Sequence, residues 1–129
     1  MSIQAERRPH PLDALAVPEM TFDLAAEIRQ LHAEPDWSTG QNAKTLAKHD
    51  NLRVVLTALD RGHHLPGHRT VGRISIQTIA GHLTVHAGAD TIDLPAGCLL
   101  VLDRDIPHDV EALETSAFLL TIAWPEGTA

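Results

Sequence analysis

The near-absence of cysteine excludes covalent cross-linking within the chain. The 129 residues include one cysteine, Cys98, and a lone thiol has no partner for an internal disulfide. An oxidising compartment is therefore not indicated. Cys98 begins an apolar run that continues to Leu102, which predicts that its thiol is a small buried hydrophobic group.

Aromatic residues and positive charge are both scarce. Aromatic residues make up 3% of the chain, tyrosine is absent, and the formal net charge is -7. An acidic surface repels phosphate backbones, and the usual aromatic platforms for base stacking are missing. We therefore expect that nucleic acid is not a partner.

Long apolar runs are missing as well. No stretch approaches the apolar length that is needed to cross a bilayer. The segment Met1–His10 is polar, carries Arg7 and Arg8, and lacks the apolar centre of a signal peptide. These absences predict a protein with no membrane partner and, by default, a cytoplasmic location.

The composition that remains is that of one folded domain. Hydrophobic residues make up 43% and charged residues 21%, which suits a globular domain with a proper core. We expect an N-terminal arm and a short helix over residues 1–43, followed by a β-barrel over residues 44–125. The helix is predicted from about Phe22 to His32, where leucine and isoleucine recur at helical spacing.

Short strands separated by turn residues fill the chain from Lys44 onward. Apolar and polar residues alternate with a period of two, and Gly, Pro and Asp interrupt the runs. No helical pattern lies between the strands, which disfavours a parallel α/β sheet. The pattern predicts an all-β antiparallel sandwich or barrel. Its interior is expected to contain Leu56, Ile76, Leu83, Val85, Leu102, Phe118 and Leu120.

Two segments place histidines beside turns. The first runs from Gly62 to Gly81, and the second from Gly97 to His108. Both lie between apolar strands, and in a small β-barrel such turns direct imidazoles into the cavity. In contrast, His82 and His86 alternate with the better core residues of their strand, so we expect these two to face outward.

These segments resemble the two motifs of the cupin family. The stretch from His68 to Gly81 is similar to the first motif, and the stretch from Leu94 to His108 is similar to the second. The resemblance covers about residues 44–124 and implies a small single-domain cupin: an antiparallel β-barrel or jelly roll that commonly forms a homodimer. It leaves the activity open, because cupins include oxygenases, isomerases, epimerases and storage proteins.

The resemblance also implies where a divalent metal ion would bind. The family's usual ligands are three histidines and a glutamate, and their positions correspond here to His68, Thr70, Ile74 and His108. Only two of the four are therefore retained, and Ile74 has no coordinating atom. The candidate ligands are His68, His108 and His64, with His63 on the same loop or His49 elsewhere in the chain as alternatives to His64. The ion would be Zn, Fe, Mn or Ni.

The leading functional hypothesis is a binding module. A small molecule is expected to bind in the barrel near His68, Thr70, Gln77 and His108, because mouths of barrels are common ligand sites. The alternative is a metal-dependent enzyme of the oxygenase or isomerase class with a degenerate histidine site. A third possibility is an oligomeric domain without cavity chemistry. The sequence is compatible with both an enzyme and a non-catalytic binding protein.

Overall fold

The computed structural model describes residues 17–125, apart from the side chain of His68. Most of the predicted N-terminal arm, residues 1–16, lies outside this range. The described chain begins with a helix, α1 (Leu24–Ala33), and a 3-10 helix, η1 (Pro35–Thr39), and continues as nine strands. The strands are β1 (Gln41–Lys48), β2 (Leu52–Leu59), β3 (His64–His68), β4 (Arg73–Ala80), β5 (His82–Ala87), β6 (Asp90–Pro95), β7 (Leu99–Leu102), β8 (His108–Ala112) and β9 (Ser116–Ala123).

Helix α1 begins directly after its capping residue, Asp23. The carboxylate of Asp23 accepts a hydrogen bond from the backbone N–H of Ala26 at 3.1 Å, which satisfies one of the free donors of the first turn. Glu34 is extended and precedes Pro35, and the residue before a proline is disfavoured in helical conformation. The predicted helix is confirmed, with its start two residues later than expected.

The strands form two antiparallel sheets. One sheet has the order β1-β2-β9-β4-β7, and the other has the order β3-β8-β5-β6. Non-consecutive neighbours such as β2 and β9 arise because the chain crosses between the sheets, as in a jelly roll. The predicted all-β antiparallel barrel with a short N-terminal helix is confirmed. Strand β1 begins at Gln41, three residues before the expected boundary of the barrel.

The main core lies between the two sheets. In β5 the buried residues Leu83 and Val85 alternate with His82 and His86, which face outward as predicted. Partly buried Leu120 packs against this core. The buried members are Leu59, Ile74, Ile76, Leu83, Val85, Ala87, Leu94, Leu102, Val110, Ala112 and Phe118.

The prediction for Leu56 is wrong about its surroundings. Leu56 is fully buried, but it belongs to a second cluster with Leu31 and Leu46, where α1 covers the outer face of the five-stranded sheet. Asn42 also faces the helix and donates hydrogen bonds of 2.9 Å to the Leu31 carbonyl and to Glu34. The period of two separated the two faces of β2 correctly. The face that carries Leu56, which was expected to line the interior, is instead covered by α1.

Strand β7 leaves an apolar edge on the five-stranded sheet. Leu99 and Val101 on this strand are 58% and 64% exposed. Cys98 is exposed as well, which corrects the buried position predicted from its apolar neighbours, because it lies in the turn before the strand. The homodimer stays a prediction, and an uncovered edge of this kind is where a second copy would pair. Within residues 17–125, no helix is long and apolar enough to cross a membrane.

Candidate functional site

A small pocket lies inside the sandwich. Its volume is about 50 Å³, and residues of both sheets border it. Most of its wall is apolar, and Thr57 and His108 are the inward-facing polar residues among the described residues that border it. The bordering residues are Thr57, Leu65, Ile76, His108, Asp109, Val110, Phe118 and Leu120.

His108 brings an imidazole to this pocket in a defined tautomer. It is 5% exposed and begins β8, whose alternate residues Val110 and Ala112 are also buried. Its Nδ1 lies 3.1 Å from the carbonyl oxygen of Ile106. Because a carbonyl only accepts, Nδ1 carries the proton, and Nε2 is the basic nitrogen of the neutral ring.

Thr57 supplies the second polar group, and the sequence reasoning missed it. It is 7% exposed on β2, where it pairs with Ala43 on one side and Phe118 on the other. Its hydroxyl has no hydrogen-bond partner among the described residues. The hydroxyl is therefore available to a ligand or solvent molecule that enters the pocket. The alternation of β2 was a signal that would have placed Thr57 opposite Leu56.

His68 is adjacent to His108 along the backbone ladder. The two residues are paired in the antiparallel register of β3 and β8, after an irregularity that follows Leu65. The His68 side chain lies outside the described part of the structure. The prediction that His68 and His108 act together therefore stays a prediction.

Thr70 and Gln77 do not border the inner pocket. Thr70 lies in the loop after β3, where its hydroxyl accepts a hydrogen bond of 3.2 Å from the backbone N–H of Gly72. Gln77 is exposed on β4, whereas its neighbours Ile76 and Thr78 are buried. The structure therefore places Gln77 on the outer face of its sheet, because strand alternation points it away from the cavity.

The donor atoms of the described residues do not fit a metal centre of the implied kind. Ile74, at the position of the expected glutamate, is 3% exposed in the apolar core. No group of three or more His, Cys, Asp or Glu within the described part of the chain is arranged to hold a metal ion. A catalytic Zn or Fe centre normally takes three protein ligands.

His64 belongs to a different surface from His108. Its Nε2 lies 3.4 Å from Oδ1 of Asp109, and the same oxygen lies 2.6 Å from Nδ1 of His86. These three residues form a cluster on the outer face of the four-stranded sheet. Since adjacent residues of a strand point to opposite faces, Asp109 faces outward and His108 inward. The structure thus separates His64 from His108.

The outer cluster changes the acidity of Asp109. Burial raises the pKa of this carboxyl, but the hydrogen bonds and charges of His86 and His64 lower it by more, so the net pKa is below the ordinary aspartate value. His82 forms a second outward pair with Asp93. Both contacts are cross-strand surface pairs.

The His63 side chain connects two elements of the fold. Its Nε2 donates a hydrogen bond of 2.9 Å to the carbonyl of Thr39. The ring lies over Gly40, where an added Cβ would meet Nε2 at 1.9 Å. This contact ties the start of β3 to the end of η1.

A wider cleft opens next to the inner pocket. Its volume is about 400 Å³. It lies where η1 and β1 extend beside β3, and Thr57 and Leu65 border both this cleft and the inner pocket. The remaining bordering residues are Asp36, Thr39, Gln41, Asn42 and Ala43. No local motif marks these residues, because the fold brings them together.

Comparison with known proteins finds similarity in structure. No protein-family model matches the sequence, and no curated protein matches it. A conserved protein of unknown function from Streptococcus pyogenes superposes with a TM-score of 0.68 at 19% identity, with 93% of this chain and 99% of that chain covered. A cupin superfamily protein from Desulfitobacterium hafniense gives a TM-score of 0.70 at 15% identity, with 86% and 96% covered.

A larger enzyme contains a similar domain. Salicylate 1,2-dioxygenase from Pseudaminobacter salicylatoxidans gives a TM-score of 0.75 at 17% identity. The match covers 90% of this chain and 39% of the dioxygenase. Likeness at such identities concerns the fold, and the chemistry has to be argued from the residues of the site.

Proposed function

We propose that this chain, which has the fold of a small cupin domain, binds a small organic molecule in the inner pocket beside His108. The observation that carries the proposal is that Thr57, a largely enclosed residue whose hydroxyl makes no hydrogen bond with the described residues, borders the same pocket as the imidazole of His108. Two polar groups in a mostly apolar cavity are typical of a ligand site, where they orient a molecule that apolar contacts retain.

The polar groups of the inner pocket indicate which chemical group of a ligand would bind there. The Thr57 hydroxyl both donates and accepts, and the His108 imidazole adds a second polar group to the wall of the pocket. A hydroxyl or a carboxylate on the ligand can form a hydrogen bond with the Thr57 hydroxyl. The apolar wall formed by residues such as Phe118 and Val110 favours a short hydrocarbon beside that group.

The test uses propanol and propionate as probes. Nitrogen–proton correlation NMR spectra of the full chain are recorded during titration with each probe. We expect saturable shifts of the amides of Thr57, His108, Val110 and Phe118. The variant Thr57→Val keeps the side-chain shape and removes the hydroxyl, so it should weaken propanol binding about fivefold to tenfold.

The control is Thr91→Val, the same substitution at an exposed threonine of β6. This variant should bind both probes as the parent does. Absence of saturable shifts in the pocket, or equal binding by Thr57→Val and the parent, would overturn the proposal.

A metal-dependent enzyme of the oxygenase or isomerase class is the second candidate. One observation favours it: the backbone carbonyl of Ile106 holds Nδ1 of His108, and metal-binding histidines are commonly oriented in this way. His68, paired with His108 along the backbone, would be the other ligand. The described donor set remains short of three, so no reaction step is assigned to an ion.

Elemental analysis of protein purified without a histidine tag separates the two candidates. The binding module predicts Zn, Fe, Mn and Ni well below one ion per chain. Stoichiometric metal that is lost in both His68→Ala and His108→Ala would instead support the enzyme. The control His64→Ala, on the outer face, should not change the metal content under either hypothesis.

A further inference from the structure

The inner pocket and the outer cleft meet at Thr57 and Leu65, which border both. The inner pocket alone, at about 50 Å³, is far smaller than the roughly 300–1,000 Å³ of ordinary small-molecule sites. The cleft, at about 400 Å³, brings the combined space into that range. A ligand held at His108 therefore has room to continue past Thr57 into the cleft.

The cleft differs from the inner pocket in its polar groups. The Asp36 carboxylate and the Gln41 amide are exposed and make no hydrogen bond or ion pair with any described residue. The Thr39 hydroxyl already donates to the Asp36 carbonyl at 2.8 Å, and Asn42 is bonded to Leu31 and Glu34. Within the part of the chain that the structure describes, the side-chain groups of the cleft without a hydrogen-bond partner are thus one carboxylate and one amide.

A carboxylate without a partner favours a cationic group. No lysine or arginine among the described residues borders the cleft, and the chain carries a net charge of -7, which attracts cations over longer distances. An ammonium group donates three hydrogen bonds, and the Asp36 carboxylate and the Gln41 amide oxygen both accept. The Asp36 carboxylate would repel a carboxylate at this end of a ligand.

The pairing register of β1 and β2 gives the length of such a ligand. Thr57 is opposite Ala43, and Gln41 lies two residues further along β1. Strands rise about 3.3 Å per residue, so Thr57 and Gln41 are separated by about 7 Å along the strand direction. A linear chain of five carbons between a hydroxyl and an ammonium group has about this length.

We infer that the ligand of this site is a linear amine, with a hydrogen-bonding group beside Thr57 and His108 and an ammonium group in the cleft beside Asp36 and Gln41. The inference rests on the proposed function, because it extends the inner pocket into the cleft.

The test compares linear aminopentanol with pentanol by the same NMR titration. The two probes share the hydroxyl and the chain and differ in the ammonium group. We expect aminopentanol to bind about threefold to fivefold more tightly, the gain typical of an exposed ion pair. It should also shift the amides of Gln41 and Asp36. The advantage should shrink as NaCl is raised, because salt screens exposed charges.

The variant Asp36→Asn isolates the carboxylate. It should remove the advantage of aminopentanol and leave pentanol binding unchanged, which also shows that the pocket is intact. The control Asp50→Asn, in the exposed turn between β1 and β2, should preserve the advantage. Aminopropanol, which is too short to span both ends, should bind no better than propanol.

The outcomes separate this inference from the proposed function. If pentanol and aminopentanol both shift the inner-pocket amides with equal affinity, the inference fails and the proposed function stands. If neither probe shifts those amides, both fail. An equal loss for both probes in Asp36→Asn would mean that Asp36 supports the structure of η1, and this result would overturn the inference.

Discussion

The hydroxyl of Thr78 donates a hydrogen bond of 2.9 Å to the backbone carbonyl of Leu94 and thereby joins the two sheets. Thr78 is on β4 of the five-stranded sheet, and Leu94 is on β6 of the four-stranded sheet. The side chain of Thr78 is completely buried. The same residue bonds through its backbone to the turn at Gly97 and Cys98, at 2.8 Å and 3.1 Å. This position therefore fixes how the sheets close around the core.

Replacing Thr78 with valine should lower the free energy of unfolding by about 1–2 kcal/mol, since the Leu94 carbonyl loses its buried donor while the side-chain shape is kept. Urea unfolding followed by circular dichroism measures this change. The matched control Thr91→Val, at an exposed site, should change the stability by less than about 0.5 kcal/mol. Equal stability of Thr78→Val and the parent would contradict the role of this bond.

Asn42 should be required to hold α1 on the barrel. Its amide donates to the Leu31 carbonyl and to Glu34, and its oxygen accepts from the N–H of Ala43 at 3.0 Å. We expect Asn42→Ala to cost about 2 kcal/mol, because the last turn of the helix loses a buried donor.

Urea unfolding measures that cost, and hydrogen exchange of the amides of α1 shows whether the loss is local. The control Asn51→Ala, at an exposed position in the turn after β1, should leave both unchanged. A destabilisation spread evenly over all strands, with no extra exchange in α1, would disagree with the prediction.

The outer cluster of Asp109, His86 and His64 should make stability depend on pH in the acid range. The pKa of Asp109 is lowered in the folded protein, so its contribution is fully present above the pKa of an unfolded aspartate, about pH 4. It is lost as the pH falls through the lower, folded value. Asp109→Asn should therefore cost about 0.5–1 kcal/mol at neutral pH, a small value because the partners are exposed.

Urea unfolding at a series of pH values tests this sign. The difference between the parent and Asp109→Asn should close as the pH falls below about pH 4. The control Asp50→Asn should remain close to the parent throughout. A gap that widens in acid would show that the pKa of Asp109 is raised, contrary to the structure.

Much of the fold followed from local pattern. The alternation in β5 predicted that Leu83 and Val85 are buried and that His82 and His86 face outward, and the structure agrees. Helical spacing predicted α1, although the capping bond of Asp23 decided its first residue. These features were accessible because they depend on the geometry of a few consecutive residues.

The candidate site was less accessible. Histidine content pointed to His64 and His108 together, but the strands place them on opposite faces of one sheet. No sequence motif marks Thr57, because a lone threonine in a strand is ordinary and its importance comes from the cavity that it borders. The cleft beside Asp36 and Gln41 forms because the fold brings residues of η1, β1, β2 and β3 together, and no local sequence pattern encodes that arrangement.

The sequence by itself determined the strand periodicity, the turns and the two faces of each strand, because backbone geometry alternates side chains whatever lies opposite them. Only the tertiary structure decided what each face meets: Leu56 meets a helix, Ile76 meets the other sheet, and Thr57 meets a cavity. The physical reason is that burial is a property of pairs of surfaces, and the order in which strands pair joins residues far apart in the chain.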